Sequence, residues 1–324
     1  MDIRPIQNLL SPAIERTLAL IADTLQSDIP LLEGTNTSLR EQHGKLLRPM
    51  LGLLVAGACG GITDDSIRFA AAAELMHNAS LLHDDVVDGA DERRGQPAVH
   101  TRVGSTGAVL LGDYWLTGSI RCILAASKDA LRVIHIFSKT LQDLAEGEWL
   151  QMEKARRADT TQEDYIRIIY SKTASMFEAA ALSGALSAGA SEEMMAAAGA
   201  FARDMGIAFQ IEDDRFDYSG APALGKPVGV DLREGKITQP LLSALEAAPE
   251  EALRIRALVR RIHSDPCAEE AVRAFVRQQK GVQLAAVVRD SYIDKALRSL
   301  EALPASQEKD YLAALARYVG EREY

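Results

Sequence analysis

Residues 81–95 read LLHDDVVDGADERRG, and residues 209–220 read FQIEDDRFDYSG. Each carries a D-D-x-x-D cluster: Asp84, Asp85 and Asp88 in the first, Asp213, Asp214 and Asp217 in the second. Each cluster lies in an apolar, helix-like run and is followed by Lys or Arg. One such cluster alone reads equally well as an acidic surface turn. Two of them suggest a pair of carboxylate ledges facing each other across a cavity. Carboxylates crowded in that way repel unless cations lie between them. Hard Mg²⁺ ions bridging to a phosphate ligand suit such ledges best.

Outward from the ledges, nearly every long segment reads as helix. Ala, Leu, Glu, Arg and Met are abundant, and alternating Val/Ile/Thr runs are scarce. The expected fold class is all-α, a bundle of long helices around a central cavity, with residues 1–324 as a single domain. Ser11-Pro12 reads as a helix start, and Thr160-x-x-Glu163 as a capping box. A helix is expected from Asp64 or Asp65 to about Asp88. Residues 88–101 and 220–235 are expected to be loops, which puts each cluster at a helix C-terminus.

On the first helix, His77, Leu81, Asp84 and Asp88 share a stripe, with Ser80 beneath Asp84. Leu81, Leu82, Val86 and Val87 interleave with the acids, which a solvated turn would not require. Ala79, Ser80 and, further back, Ala70 to Ala73 form a wall of small residues. A ligand tail could run along it; close helix packing favours the same residues. Near the second cluster, Lys226, Asp231 and Lys236 alternate on a glycine-rich stretch suited to a metal–phosphate ligand. Lys45, Arg48, Arg93, Arg94 and Lys172 are further candidates for anion contacts, and Arg suits bidentate phosphate recognition.

Composition narrows the remaining choices. Of 324 residues, 47% are hydrophobic, ample for a large core. A net charge of -10 argues against nucleic acid as the main partner. Cys59, Cys122 and Cys267 follow no metal or disulfide pattern, which fits reduced thiols and a cytoplasmic setting. No apolar run reaches the length of a membrane span, so peripheral membrane contact at product release is the most that is expected.

With these motifs in order, the chain resembles the trans-isoprenyl diphosphate synthases, or polyprenyl synthetases. The resemblance rests on GKLLRP (44–49), ELMHNASLLHDDVVDGADERRG (74–95), GDYWL (112–116), YSKTASMFEAA (170–180), FQIEDDRFDYSG (209–220) and GKPVGVDLREGKITQPL (225–241). It implies the isoprenoid synthase fold, usually as a homodimer. It also implies an enzyme that condenses isopentenyl diphosphate with an allylic diphosphate such as geranyl or farnesyl diphosphate. Asp84, Asp88 and Asp213 would be direct ligands of about three Mg²⁺ ions, helped by Asp85, Asp214 and Asp217. Arg93, Lys172, Lys226 and Lys236 would hold the allylic diphosphate. Lys45, Arg48, His77 and Arg94 would hold that of isopentenyl diphosphate. Gln210 and Thr173 would lie near the developing carbocation.

Ala79 and Ser80, five and four residues before the first cluster, are small where aromatics give short products. The pattern looks most like bacterial octaprenyl diphosphate synthase, which implies a product of roughly C30 to C40. A C20 geranylgeranyl product, or farnesyl diphosphate, is the alternative. The tunnel floor would lie on other helices, with Trp115 and the residues around Cys122 as candidates. A non-catalytic subunit of a heteromeric synthase would be expected to lose aspartates, and all six are present. A terpene cyclase would carry Asn and Ser or Thr in its second motif. Four positions depart from the family pattern: Arg215 and Phe216 inside the second cluster, His100, and Gln239.

Overall fold

The computed structural model describes residues 3–41, 44–93, 95–219 and 229–321. The architecture is all-α. Helices α1 (Arg4–Thr24), α2 (Pro30–Glu41) and α3 (Leu47–Cys59) lead to α4 (Asp64–Val87), which carries the first cluster. A two-residue antiparallel hairpin, β1 (Glu92–Arg93) and β2 (Gln96–Pro97), precedes α5 (Val99–Leu124) and α6 (Ala130–Arg157). Next come α7 (Gln162–Ile169), a π-helical turn (Tyr170–Ala174), α8 (Ser175–Ser187) and α9 (Glu192–Ser219), which carries the second cluster. The chain ends with α10 (Val230–Arg233), α11 (Gln239–Ala247), α12 (Ala252–Val259), α13 (Pro266–Gln278), α14 (Gly281–Ser299) and α15 (Gln307–Glu321).

Local chemistry accounts for the starts. Thr63 and Ser66 cap α4 reciprocally: Ser66 N donates to Thr63 Oγ1 (3.2 Å) and Thr63 N to Ser66 Oγ (2.9 Å). Asp64 and Asp65 then occupy the positive end of the helix dipole. The α7 capping box falls one residue later than expected, on Thr161 and Asp164 rather than Thr160 and Glu163. Ser11-Pro12 is not a helix start, because α1 runs from Arg4 straight through Pro12. Pro12 is exposed, so the carbonyl it leaves without a partner faces water. The polar stretch after Asp88 is shorter than expected, since α5 begins at Val99. Within α5, Gly104 (φ 76°, ψ 160°) breaks the helix, a conformation that glycine tolerates.

One buried cluster joins α1, α3, α4, α8, α9 and α15, with Phe69, Phe177 and Phe201 fully enclosed. A second joins α11 to α14, and Tyr292 borders both. Ala70 to Ala73 are almost wholly buried in the first cluster. They serve helix packing rather than a tail wall: Ser119 Oγ on α5 donates to the Ala72 carbonyl (2.9 Å).

The π-helical turn is wedged between two helices. A Cβ at Gly147 of α6 would stand 2.5 Å from Ser171 Cβ. A Cβ at Gly206 of α9 would stand 2.6 Å from Ala174 Cα. Two glycines therefore let α6 and α9 close on the turn that bears Lys172 and Thr173. We expect Gly147→Val and Gly206→Val each to lose about 1–3 kcal/mol. Both should lower the melting temperature measured by circular dichroism, and an unchanged value in both would contradict the tight seat.

Candidate active site

A cavity of about 640 Å³ opens between the ends of α4 and α9. From α4 come His77, Ser80, Leu81 and Asp84; from α9 come Phe209, Gln210, Asp213 and Asp214. Lys45 and Arg48 reach it from the start of α3, Arg93 from the hairpin, Lys172 and Thr173 from the π-turn, and Lys236 from beyond α10. Asp88 faces an adjoining space of about 410 Å³ that shares Lys236 with the main cavity. Arg94 and Lys226 lie outside the described residues.

The six aspartates do different work. Asp84, Asp88 and Asp213 face the cavities. Asp85 turns away into the protein and is ion-paired with the Arg93 guanidinium, whose Nε donates at 2.7 Å. Asp214, 3% exposed, accepts from Tyr165 Oη (2.6 Å) and Gln210 Nε2 (2.9 Å). Asp217 Oδ1 accepts from the backbone N–H of Gly229 (2.9 Å) and Val230 (3.0 Å), pinning the start of α10.

The network continues outward. Thr173 Oγ1 donates to Gln210 Oε1 (2.8 Å). Its one proton is then committed, so the oxygen lone pairs remain for the cavity. Lys172 Nζ lies 2.5 Å from Glu148 Oε2, and Lys236 Nζ lies 2.5 Å from Glu234 Oε2. Lys45 Nζ donates to Tyr318 Oη (2.9 Å), bringing α15 to the rim. Tyr165, Glu148 and Tyr318 were missed in the sequence reading. Each is remote from the clusters in sequence, and only the spacing of Tyr165 before Lys172-Thr173 hints at a shared site.

A second chamber of about 260 Å³ adjoins the first and shares Ser80, Asp84 and Lys172 with it. Met76 and Ala79 of α4, Leu116 of α5, and Leu141 and Leu144 of α6 line it. Leu116 rather than Trp115 is the α5 contact, because Trp115 Nε1 donates to buried Asn36 Oδ1 (2.9 Å) on another face. Cys122 is buried beside Thr24, away from the chamber.

The departures at Arg215 and Gln239 are structural. Arg215 and Arg289 both pair with buried Glu212, and Arg215 Nε donates to the Val282 carbonyl (3.1 Å), clamping α9 to α14. Buried Gln239 exchanges amide hydrogen bonds with Gln162 (2.8 and 3.1 Å).

The model of the family described as polyprenyl synthetase matches residues 29–278. The chain belongs to the polyprenyl synthetase family. It is thus an enzyme of the prenyltransferase class, with the isoprenoid synthase fold. An octaprenyl diphosphate synthase from Haemophilus influenzae is 36% identical over 326 residues, covering 100% of this chain and 98% of that one. A decaprenyl diphosphate synthase structure from Rhodobacter capsulatus superposes with a TM-score of 0.92 at 33% identity, over 100% of both chains. A polyprenyl synthase from Caulobacter crescentus, complexed with calcium and isoprenyl diphosphate, superposes at 0.91 with 32% identity, over 100% of this chain and 98% of that one.

The donor set fits the hard divalent cation that this polyprenyl synthetase fold implies. Asp84, Asp88 and Asp213 offer only carboxylate oxygens. Among the described residues no three His, Cys, Asp or Glu side chains gather to hold an ion by themselves. One or two carboxylates per ion, with phosphate oxygens and water completing the shell, is the way Mg²⁺ is usually held. The electrostatics agree. Burial pushes Asp84 up to about 6, with Glu148 and Asp88 adding repulsion that Lys172 opposes. Burial likewise raises Asp88, and drives Asp214 far above the usual carboxylate range. Burial pulls Lys236 down, but Asp231 and Glu234 outweigh it and hold the ammonium charge.

A carboxyl whose pKa rises on folding binds more protons folded than unfolded. Its effect on stability therefore worsens as pH rises from about 4 to about 6 and stays unfavourable above that. In metal-free buffer at pH 7.5, Asp84→Asn should melt about 2 °C or more above the unaltered protein. The gap should close as the pH falls from about 6 to about 4. Calorimetric scans across that range check this, and a lower melting temperature at pH 7.5 would contradict it.

Proposed function

We propose that this enzyme is a Mg²⁺-dependent, chain-elongating trans-prenyltransferase that condenses isopentenyl diphosphate with an allylic diphosphate. The observation carrying this reading is a single cavity lined by Asp84 and Asp213 from opposite helices, with Lys172, Arg93 and Lys236 around them. When bound, about three Mg²⁺ ions held through Asp84, Asp88 and Asp213 would supply positive charge to the departing pyrophosphate.

The chain's own groups do the rest. Lys172, Lys236 and Arg93, with Lys226, bind the allylic diphosphate and stabilise it as it leaves. Glu148 and Glu234 hold the two lysines at the cavity wall. Lys45, Arg48 and His77, with Arg94, bind the diphosphate of isopentenyl diphosphate. The Tyr165–Asp214–Gln210–Thr173 chain fixes the Thr173 oxygen at the cavity wall, where it would lie near the positive charge developing on the allylic carbon. Apolar walls at Leu81, Phe209 and Ile169 limit attack by water. The departing pyrophosphate takes the proton lost after condensation.

The tail passes Ser80 and Ala79 into the second chamber. These two small side chains, with the likeness to octaprenyl diphosphate synthases, support a product of roughly C30 to C40, octaprenyl diphosphate foremost. A C20 product is the second reading, favoured by the modest size of that chamber, about 260 Å³. Exposed Leu110 and Leu124 on α5 and Leu131 on α6 support a homodimer that covers them.

The test is incubation with Mg²⁺, farnesyl diphosphate and labelled isopentenyl diphosphate, with products sized by chromatography. Asp213→Ala should lower kcat on the order of 100-fold or more while leaving the circular dichroism spectrum intact. Near-normal turnover would remove the assignment. Ser80→Phe and Ala79→Tyr should shorten the product, and an unchanged distribution in both would show that the tail runs elsewhere.

A further inference from the structure

We propose that the imidazole of His83, seated on Gly112, forms a wall of the tail chamber and is a specificity-determining residue for product length. This rests on the reading above that the growing tail enters the chamber. His83 precedes Asp84 by one residue, and so stands about 100° round α4 from it. The carboxylate faces the diphosphate end, while the ring faces α5. His83 lines the chamber together with Leu141 and Leu144. Away from the head-group residues Asp84, Glu148 and Lys172, the rest of the lining is apolar apart from the Ser80 hydroxyl. That hydroxyl is turned back onto the His77 carbonyl of its own helix (2.8 Å). Among the described residues, the imidazole is therefore the one bulky polar side chain that the tail would meet there.

The ring is held rather than loose. Its Nε2 lies 3.1 Å from the Val109 carbonyl oxygen, so that nitrogen carries the proton and donates it. The same nitrogen lies 3.4 Å from the Asp113 carboxylate. Gly112 makes the seat. A Cβ there would stand 2.3 Å from Nε2 and 2.5 Å from Cδ2 of His83. No residue other than glycine leaves room for the ring in this position. The GDYWL segment thus supplies three parts of one device. Gly112 is the floor under the ring, Asp113 and the nearby Val109 carbonyl are its anchor, and Leu116, one turn on, is the adjoining wall.

A wall made by one anchored ring is adjustable by single substitutions, and two independent ones test it. His83→Ala and His83→Asn remove the ring and enlarge the chamber. Each should lengthen the main product by at least one isoprene unit. Gly112→Ala unseats the ring without touching the chamber's other residues, and should shift the product distribution. In the His83→Ala background, adding Gly112→Ala should shift it no further, because no ring remains to be displaced. That comparison separates an effect through the ring from damage to α4–α5 packing.

Product lengths are read by chromatography from farnesyl diphosphate and isopentenyl diphosphate, with Ser80→Phe run alongside. Unchanged lengths in both His83 variants, with a shortened product in Ser80→Phe, would overturn this inference and leave the tail reading standing. Unchanged lengths in all of them would remove the tail reading as well. Loss of all product in both His83 variants at an unaltered melting temperature would place the ring in the chemistry, and the wall assignment would be wrong.

Discussion

Acidic side chains at a helix C-terminus meet the negative end of the macrodipole, and this chain does that twice. Asp84 and Asp88 close α4, while Asp213 and Asp217 lie near the end of α9. Partial burial adds to the cost, visible in the upward displacement of Asp84 and Asp88. Such an arrangement is tolerable only with positive charge nearby. Lys172, Lys236 and Arg93 provide part of it, and each is itself engaged by an acid: Glu148, Glu234 and Asp85. The balance is left for a ligand that brings cations and phosphate together. Stability is given up at the place where binding is wanted.

The two clusters look alike as strings, yet each is divided between ligand and scaffold. Asp85 and Asp214 occupy equivalent positions, and both are buried and engaged by neighbours, Asp85 off the cavity and Asp214 at its wall. One is paired with Arg93; the other is enclosed by Tyr165 and Gln210. Asp217 ties α9 to the start of α10. The inner aspartates thereby orient the groups around the outer ones. Removing Asp85 would free Arg93, and removing Asp214 would release Gln210 and with it Thr173. The π-turn completes the frame. The extra residue in that turn is accommodated because Gly147 and Gly206 let two helices approach it.

Much of this was legible in the sequence. Helical periodicity carried through α4, and its expected span to about Asp88 agrees with Asp64–Val87. The placement of both clusters at helix ends followed from the Gly- and Pro-bearing stretches after them. What stayed hidden depends on pairing across distance. Nothing near Tyr165 announces that it bonds Asp214, and nothing in EGEWL announces that Glu148 holds Lys172. The π-turn was invisible because its residues have ordinary helix propensities, and only the facing glycines reveal why it forms. Pro12 misled because its position on the solvent side of α1 is a tertiary fact. The run of small residues divides: Ala79 borders the second chamber, while Ala70 to Ala73 pack in the core.

If the ledges are incomplete without a cation–diphosphate ligand, each ligand should complete the other's site. The direct measurement is the melting temperature of the protein alone, with Mg²⁺, with a non-ionising allylic diphosphate analogue, and with both, since ligand binding to the folded state raises it by linkage. The account predicts a rise with both that exceeds the sum of the two separate rises, and loss of that excess in Asp84→Asn. Simple additivity in the unaltered protein would contradict a shared site between α4 and α9.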